Sequence, residues 1–507
     1  MKRTLARSST AIAALLIGAP AAFADVTPKD VWANWMQQMQ ANDLTVSATE
    51  TMQGNDLKIS DLKMTGEVPE IEDQPASNVE ITMPGLELID NGDGTVDIKM
   101  PNSFPMNIAF EDGEDSGNVV INYNSAGLKT TASGEPEAVQ YDTSAASIEI
   151  ALDKLVSEEG ELDIGTVKAT LINVKGNTLS MGTMLLKSEQ TMTAEQMLIT
   201  VDAMAPEGQA DDYVKLNGSL RNVTIGGSSA IPKDVDYEDM SAAMKNGFAI
   251  EAEFSHAGSE MDFDMLMDQG TLVGNQSSAS GEFTMSFDAE TFRLGTKSSD
   301  AKATAKSDDL PFPVSYSMGE TLFDLVVPLA MDDAEQNVKL AVTLADFTMD
   351  DALWNLFDRD AQLQRDPATV SFDITGKVKV LADLFDKETL TEDVAPGELS
   401  EVTLNNLTVR AAGAELTGAG AFTFDNSDLV TFGGMPRPEG AIDLALTGAN
   451  KLLDTLVAMN LVGQDDVMGA RMMMGMFAVP GEGEDSLKST IEVNSEGHVL
   501  ANGMRLQ

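Results

Sequence analysis

The chain has 507 residues, 82 acidic against 32 basic, two histidines and no cysteine, for a formal charge of −50. That charge repels nucleic acid and anionic membrane surfaces. The missing thiols rule out disulfide staples, so stability must come from burial alone, and two histidines remove most zinc-site and general-base options.

Met1 to Ala24 combine Lys2, Arg3 and Arg7 with an apolar run through Ile12, Leu15, Leu16 and Ile17, ending in Ala22-Phe23-Ala24. This is the pattern of a signal peptide over 1–24, cleaved before Asp25. Gly18 and Pro20 break the run before the roughly 20 residues a membrane span needs, and no cysteine follows to take a lipid. We expect a periplasmic protein with no transmembrane anchor after cleavage.

Thr27 or Asp25 can cap a first helix, with Pro28 near its start and Val31, Trp32, Trp35, Met36 and Met39 on one face. From Leu44 the texture changes to short alternating runs: Leu57, Ile59, Leu62; Val79, Ile81, Met83; Val96, Ile98, Met100. Turns such as Asn91-Gly92-Asp93-Gly94 separate them. Strands are expected again over Val119 to Tyr123, Ile148 to Leu152, Ile164 to Val174 and Met197 to Val201.

A weak repeat recurs in SLRNVTIGG (Ser219), VTLADFTMD (Val342) and VTLNNLTVR (Val402). Its spacing fits no named solenoid. Short helical pieces are expected at Tyr237 to Lys245 and Asp351 to Phe357. Long loops are expected at Glu67 to Pro75, Ala205 to Asp212 and Asp386 to Gly397.

Alternation is cleanest between Phe248 and Phe287: Phe248, Ile250, Ala252, Phe254; Met261, Phe263, Met265, Met267; Phe283, Met285, Phe287. Large apolar groups fall on one sheet face and Glu, Asp or Ser on the other. At the C-terminal end, Ile442, Leu444 and Leu446 predict a strand. Leu452, Leu453, Leu456 and Val457 predict a helix that a left-handed Gly463 ends, and a second helix is expected over Gln464 to Ala478. A strand over Leu487 to Val493, a turn at Asn494 to Gly497 and a last strand over Val499 to Leu506 follow.

The run from Pro436 through MGARMMMGMFAVPGEGEDSLKSTIEVNSEGHVLANGMRL resembles the bacterial domain-of-unknown-function family 2125. So do LADFTMDDALWNLFDRDAQLQRDPATVSFDITGKVKV from Leu344, ELTGAGAFTFDN from Glu415 and DVWANWMQQMQ from Asp30. That family brings no activity and no catalytic residues to carry over.

About twenty strands side by side must curl, split or close to stay soluble. The fold expected is mainly β: an elongated, curved antiparallel sheet, groove-like, with a few short helices at its ends or concave side and a helical hairpin near the C-terminus. The regions 25–230, 231–335 and 336–507 are expected to form one continuous body. The shape resembles, at the level of fold only, the β-groove proteins of the bacterial envelope that handle lipids.

No nucleophile elbow, phosphate loop or zinc-protease motif occurs, and His256 and His498 fall in turns. Asp90 to Asp97 set oxygen ligands around a glycine turn, as calcium requires, but without EF-hand spacing; an ordinary hairpin is expected. Met468, Met472, Met473, Met474 and Met476 offer thioethers to copper(I), yet point in different directions along a helix and are expected mostly to pack. No catalytic residues, metal ligands or cofactor are expected.

The expectation is therefore an exported, non-enzymatic binding or carrier protein for lipid or another apolar molecule. Its expected apolar surface is Phe248, Ile250, Phe254, Met261, Phe263, Met265, Phe283, Met285 and Phe287, with Leu453 and Leu456 covering it. The alternative is a structural or assembly factor of the envelope without a small ligand.

Overall fold

A computed structural model describes residues 25–506 apart from 42–43, 69–76, 113–114, 158–159, 163–164, 205–211, 234, 238, 268–269, 310–311 and 387–394. The signal peptide expected at 1–24 lies outside these residues, as does most of each of the three expected long loops.

Helix α1 (Pro28–Ala41) starts at a reciprocal cap. The Thr27 N–H and hydroxyl donate to Asp30, whose own N–H donates to Thr27 Oγ1. Next come β1 (Thr45–Gln53), β2 (Asp56–Val68), β3 (Ser77–Met83), β4 (Leu86–Asp90), β5 (Val96–Lys99), β6 (Ser103–Asp112), β7 (Asp115–Ala126) and β8 (Lys129–Glu135). The middle of the chain holds β9 (Ala138–Ser157), β10 (Gly160–Leu162), β11 (Thr166–Met181), β12 (Leu185–Met204), β13 (Tyr213–Pro232), α2 (Met240–Lys245), β14 (Ala249–His256), β15 (Ser259–Met267), β16 (Gly270–Ser278), β17 (Ser280–Phe287), β18 (Thr291–Ser307) and β19 (Val314–Pro328). The remainder is β20 (Gln336–Met349), α3 (Asp351–Trp354), β21 (Ala368–Val380), β22 (Gly397–Ala411), β23 (Ala414–Asp425), β24 (Arg437–Thr447), α4 (Ala449–Ala458), α5 (Gln464–Phe477), β25 (Val479–Pro480), β26 (Ser486–Val493), β27 (Val499–Ala501) and β28 (Met504–Arg505).

These 28 strands form one antiparallel sheet. Its hydrogen bonds connect β1 at one end to β28 at the other. After β2 the path doubles, with β3, β6 and β7 collinear with β4, β5 and β8, and both lines rejoin on β9. It continues through β11, β12 and β13, then through β14 with β15 and β17 with β16, to β18. From there to β24 each strand pairs with the next, and β26, β27 and β28 finish it. Among the described residues buried apolar side chains gather in three separate clusters. The sheet is opened out rather than wrapped around one closed core.

A bend crosses the long strands. Asn173, Asn222, Asp300 and Asp346 lie inside strands with φ of 53°, 48°, 47° and 55°, the left-handed region that Asn and Asp tolerate best among residues with a Cβ. They fall in one line. Pairing on either side sets Asn173 and Asn222 opposite Glu195, and Asp300 and Asp346 opposite Gly319. The apolar phase switches there: Leu216 and Leu220 precede Asn222, whereas Val223 and Ile225 follow it. Arg221 and Asn222 are both exposed, while Val223 is 1% exposed.

Because each strand switches at the same line, the apolar groups stay on one face. Ala145, Val174 and Ala194, on one side of the line, pack with Ile148 and Leu171 on the other. Beside Asn173 and Asn222, Ala145, Val174, Ala194 and Val223 are buried on the apolar face while Arg221 and Asn222 are exposed, which makes the apolar face concave there. Two of the weak repeat phrases, SLRNVTIGG and VTLADFTMD, carry the left-handed Asn222 and Asp346. The third, VTLNNLTVR, carries Asn405 and Asn406, where the register of β22 with β23 shifts.

Helices cover the ends of this face. Val31 and Trp32 of α1 are buried against Leu57, Leu88, Ile98 and Tyr141, and Tyr141 donates its hydroxyl to Asn34 Oδ1 at 2.8 Å. At the other end α4 and α5 form the expected helical hairpin, with two differences. Asn460, at φ 58°, takes the left-handed turn after α4, and Gly463, at φ −72°, is instead the N-cap of α5. The expected last strand is two, β27 and β28, joined by Asn502-Gly503 with both φ positive, as a tight hairpin requires.

Candidate functional site

Between the covered ends the concave face is open and apolar. One row in register across neighbouring strands reads Phe254, Phe283, Thr296, Phe323, Val342 and Phe372. The row beside it reads Met285, Leu294, Leu325, Leu340, Ile374 and Leu404. Side chains on this face keep much of their surface in contact with solvent: Ile150 is 50% exposed, Phe283 36% and Val370 44%. Six strands at about 4.8 Å spacing give these rows a length of roughly 24 Å.

The opposite face carries the charges, with Lys339 2.6 Å from Asp324 and Lys297 3.8 Å from Glu320. A depression of about 600 Å³ lies there, lined by Glu189, Glu251, Glu253 and Arg293. Among the described residues no three acidic or histidine side chains converge on one point. At Asp90 to Asp97, Asp90 accepts from the Gly92 N–H and Asp93 from the Thr95 N–H and hydroxyl, which builds the expected hairpin turn between β4 and β5.

The structure brings together most of the residues expected to form an apolar surface. Ile250, Phe254, Phe283, Met285 and Phe287 lie on the concave face on one side of the bend, and Met261, Phe263 and Met265 on the same face beyond it. Phe248 is buried instead, with Ile250 and Phe287 packed against the same cluster. This phenylalanine is 5% exposed, packed with Ile231, Ala243 and Met244 beneath α2 and edge-on to Tyr237 and Phe287. Leu453 and Leu456 do not cover the strands from Phe248 to Phe287. Helix α4 rests on β23, many strands away, because the 448–450 turn follows directly from β24.

His256 is not a plain surface turn residue. It lies on the concave face at the bend, against Gly281 and with its ring 6.1 Å from that of Phe254. Burial pushes its pKa below the ordinary imidazole value. Sequence reading missed the continuation of the face through Leu294, Phe323, Leu340, Val342 and Phe372. The signal is the switch of apolar phase at an Asn or Asp, which a search for unbroken alternation passes over.

A second apolar space lies at the C-terminal end of the same face. Leu444, Leu446, Leu487 and Ile491 line one side, and Met473, Met474 and Phe477 of α5 the other, of a cleft of about 440 Å³ that is open to solvent. The expected packing role of the α5 methionines fails for most of them: Met468, Met472, Met473 and Met476 are exposed.

The family model described as an uncharacterized protein conserved in bacteria, DUF2125, matches residues 267–506. Over those 240 residues, a little under half of the chain, the sequence is similar to DUF2125. No curated protein matches the chain, and neither does any solved structure. The DUF2125 region holds β16 to β28 with α3, α4 and α5, and so most of the open face and the whole C-terminal cleft. The stretch from Asp30, expected to share the resemblance, lies outside the match.

Within the DUF2125 region the block from Leu344 has a structural role. Asp358 is 1% exposed and accepts from the Gln362 N–H at 2.8 Å and the Leu363 N–H at 3.1 Å. Arg365 stacks over Trp354 at 5.5 Å and donates to the Asp358 carbonyl at 3.0 Å. Together they pin the link from α3 to β21.

Proposed function

We propose that this protein is an exported, non-enzymatic binding or carrier protein of the bacterial envelope, acting in the periplasm, that holds lipid or another apolar ligand along its concave face. The observation that supports this most is the pair of adjacent apolar rows from Phe254 to Phe372 and from Met285 to Leu404, left uncovered between the helices.

Each methylene moved from water onto such a surface is worth about 0.8 kcal/mol. A chain of about ten gains about 8 kcal/mol, within the range of about 4–15 kcal/mol that capture costs. Thr296 is the one polar side chain in the two rows, so discrimination follows ligand length rather than headgroup. The test is uptake of a fluorescent fatty acid by wild type, Phe254→Glu and Met285→Glu, with circular dichroism to check folding. Uptake by wild type and loss in folded variants supports the proposal. No uptake by folded wild type favours the alternative, a structural or assembly factor of the envelope without a small ligand.

A further inference from the structure

Helix α5 is anchored at Val467, which is 5% exposed, at Arg471 and at its C-terminal end, with one glycine between each anchor and the next. At its C-terminal end the Phe477 carbonyl accepts from Ser489 Oγ at 2.5 Å and Asn502 Nδ2 at 2.9 Å. On its α4 side Arg471 reaches Asp454 at 2.7 Å and Asn450 at 3.1 Å. Its interior carries two glycines, Gly469 and Gly475. A Cβ at either would meet nothing within 4 Å, so neither is required by packing, yet glycine inside a helix loosens it. The α5 side of the C-terminal cleft is thus soft, with Met473, Met474 and Phe477 facing Leu444, Leu446 and Ile491.

The space itself limits what can enter. Ser489 spends its hydroxyl on Phe477, which leaves the cleft without a free hydroxyl to receive a headgroup. A methylene fills about the volume of a water molecule, about 30 Å³. A cleft of 440 Å³ therefore has room for one chain of about 15 carbons.

We propose that this cleft is a binding site for a single alkyl chain, from a fatty acid or one tail of a lipid, with α5 as its lid. The inference rests on the reading of the protein as a carrier of apolar ligands and adds to it a separate end site.

Two probes separate the sources: tetradecanoic acid in solution, and vesicles of phosphatidylethanolamine and phosphatidylglycerol. Bound equivalents are counted by native mass spectrometry on the full exported chain. Leu446→Trp, which fills the cleft, is expected to bind one equivalent fewer than wild type from at least one source, while Phe254→Glu keeps that equivalent. The double variant Gly469→Ala/Gly475→Ala leaves the space intact and is expected to keep the stoichiometry while slowing probe exchange at least several-fold. Equal stoichiometry in wild type and Leu446→Trp, or exchange unchanged in the alanine variant, overturns the proposal but not the open-face reading. Wild type that binds neither probe overturns both.

Discussion

Asn173 and Glu195 meet on the outer side of the bend, where the Asn173 amide donates to the Glu195 carboxylate at 2.5 Å. Register places Asn222 against the same glutamate from the next strand. A left-handed residue with a Cβ costs about 1–2 kcal/mol, and Asn is among the residues that carry this cost most lightly. Across several strands the result is a line along which the whole sheet turns.

The line can be tested at Asn222, which is exposed and has φ 48°. Asn222→Val is expected to lower stability by about 1–2 kcal/mol, and Asn222→Gly to leave it within a few tenths or raise it slightly. Urea midpoints check this. Equal loss in both variants would show that the side chain, not the backbone conformation, matters there.

The docking of α1 depends on a buried pair. Tyr141→Phe removes the donor to Asn34 Oδ1 and leaves a buried amide oxygen without it, at a cost of about 1–3 kcal/mol. The expected readouts are a lower Tm and altered emission from Trp32 and Trp35, the latter with its ring 6.4 Å from Tyr141. An unchanged Tm would contradict this account of the N-terminal end.

The start of α4 is capped from a distance by Asp485. Burial opposes ionisation of its carboxyl, but the N–H groups of Lys451 and Asn450 and the Asn450 amide outweigh it and hold the pKa below the usual 3.8. A depressed folded-state pKa stabilises above the unfolded value and loses that contribution as pH falls through the folded one. Asp485→Asn is therefore expected to lower Tm at pH 7, with the gap to wild type closing below about pH 4. A gap independent of pH would contradict the assignment.

With 82 acids against 32 bases, repulsion among carboxylates outweighs the surface ion pairs that salt also screens. Raising sodium chloride from about 0.1 M to about 1 M shortens the Debye length from about 10 Å to about 3 Å. Tm is expected to rise across that range; a flat or falling Tm would contradict a repulsion-limited fold.

Much of this architecture is legible in the residues. The alternation from Ile250 to Phe287, the cap at Thr27, and both C-terminal helices follow from local periodicity and side-chain chemistry. What local patterns do not carry is the long-range register. Periodicity alone does not say that Phe254, Phe323 and Phe372 share one row, since Asp300 and Asp346 reset the apolar phase between them. The burial of Phe248 depends on α2 folding back over β14, and the seat of α4 on β23 depends on a cap from Asp485, 35 residues away from Asn450 in sequence.

The central claim is that the open concave face carries an apolar ligand. Its most direct test is mass spectrometry of lipid extracted from the protein purified out of the envelope, alongside the Phe254→Glu/Met285→Glu double variant prepared identically. The account predicts fatty acid or lipid in stoichiometric amount with wild type and a clear loss in the folded variant. Folded wild type that carries no lipid and acquires none when incubated with vesicles would contradict it.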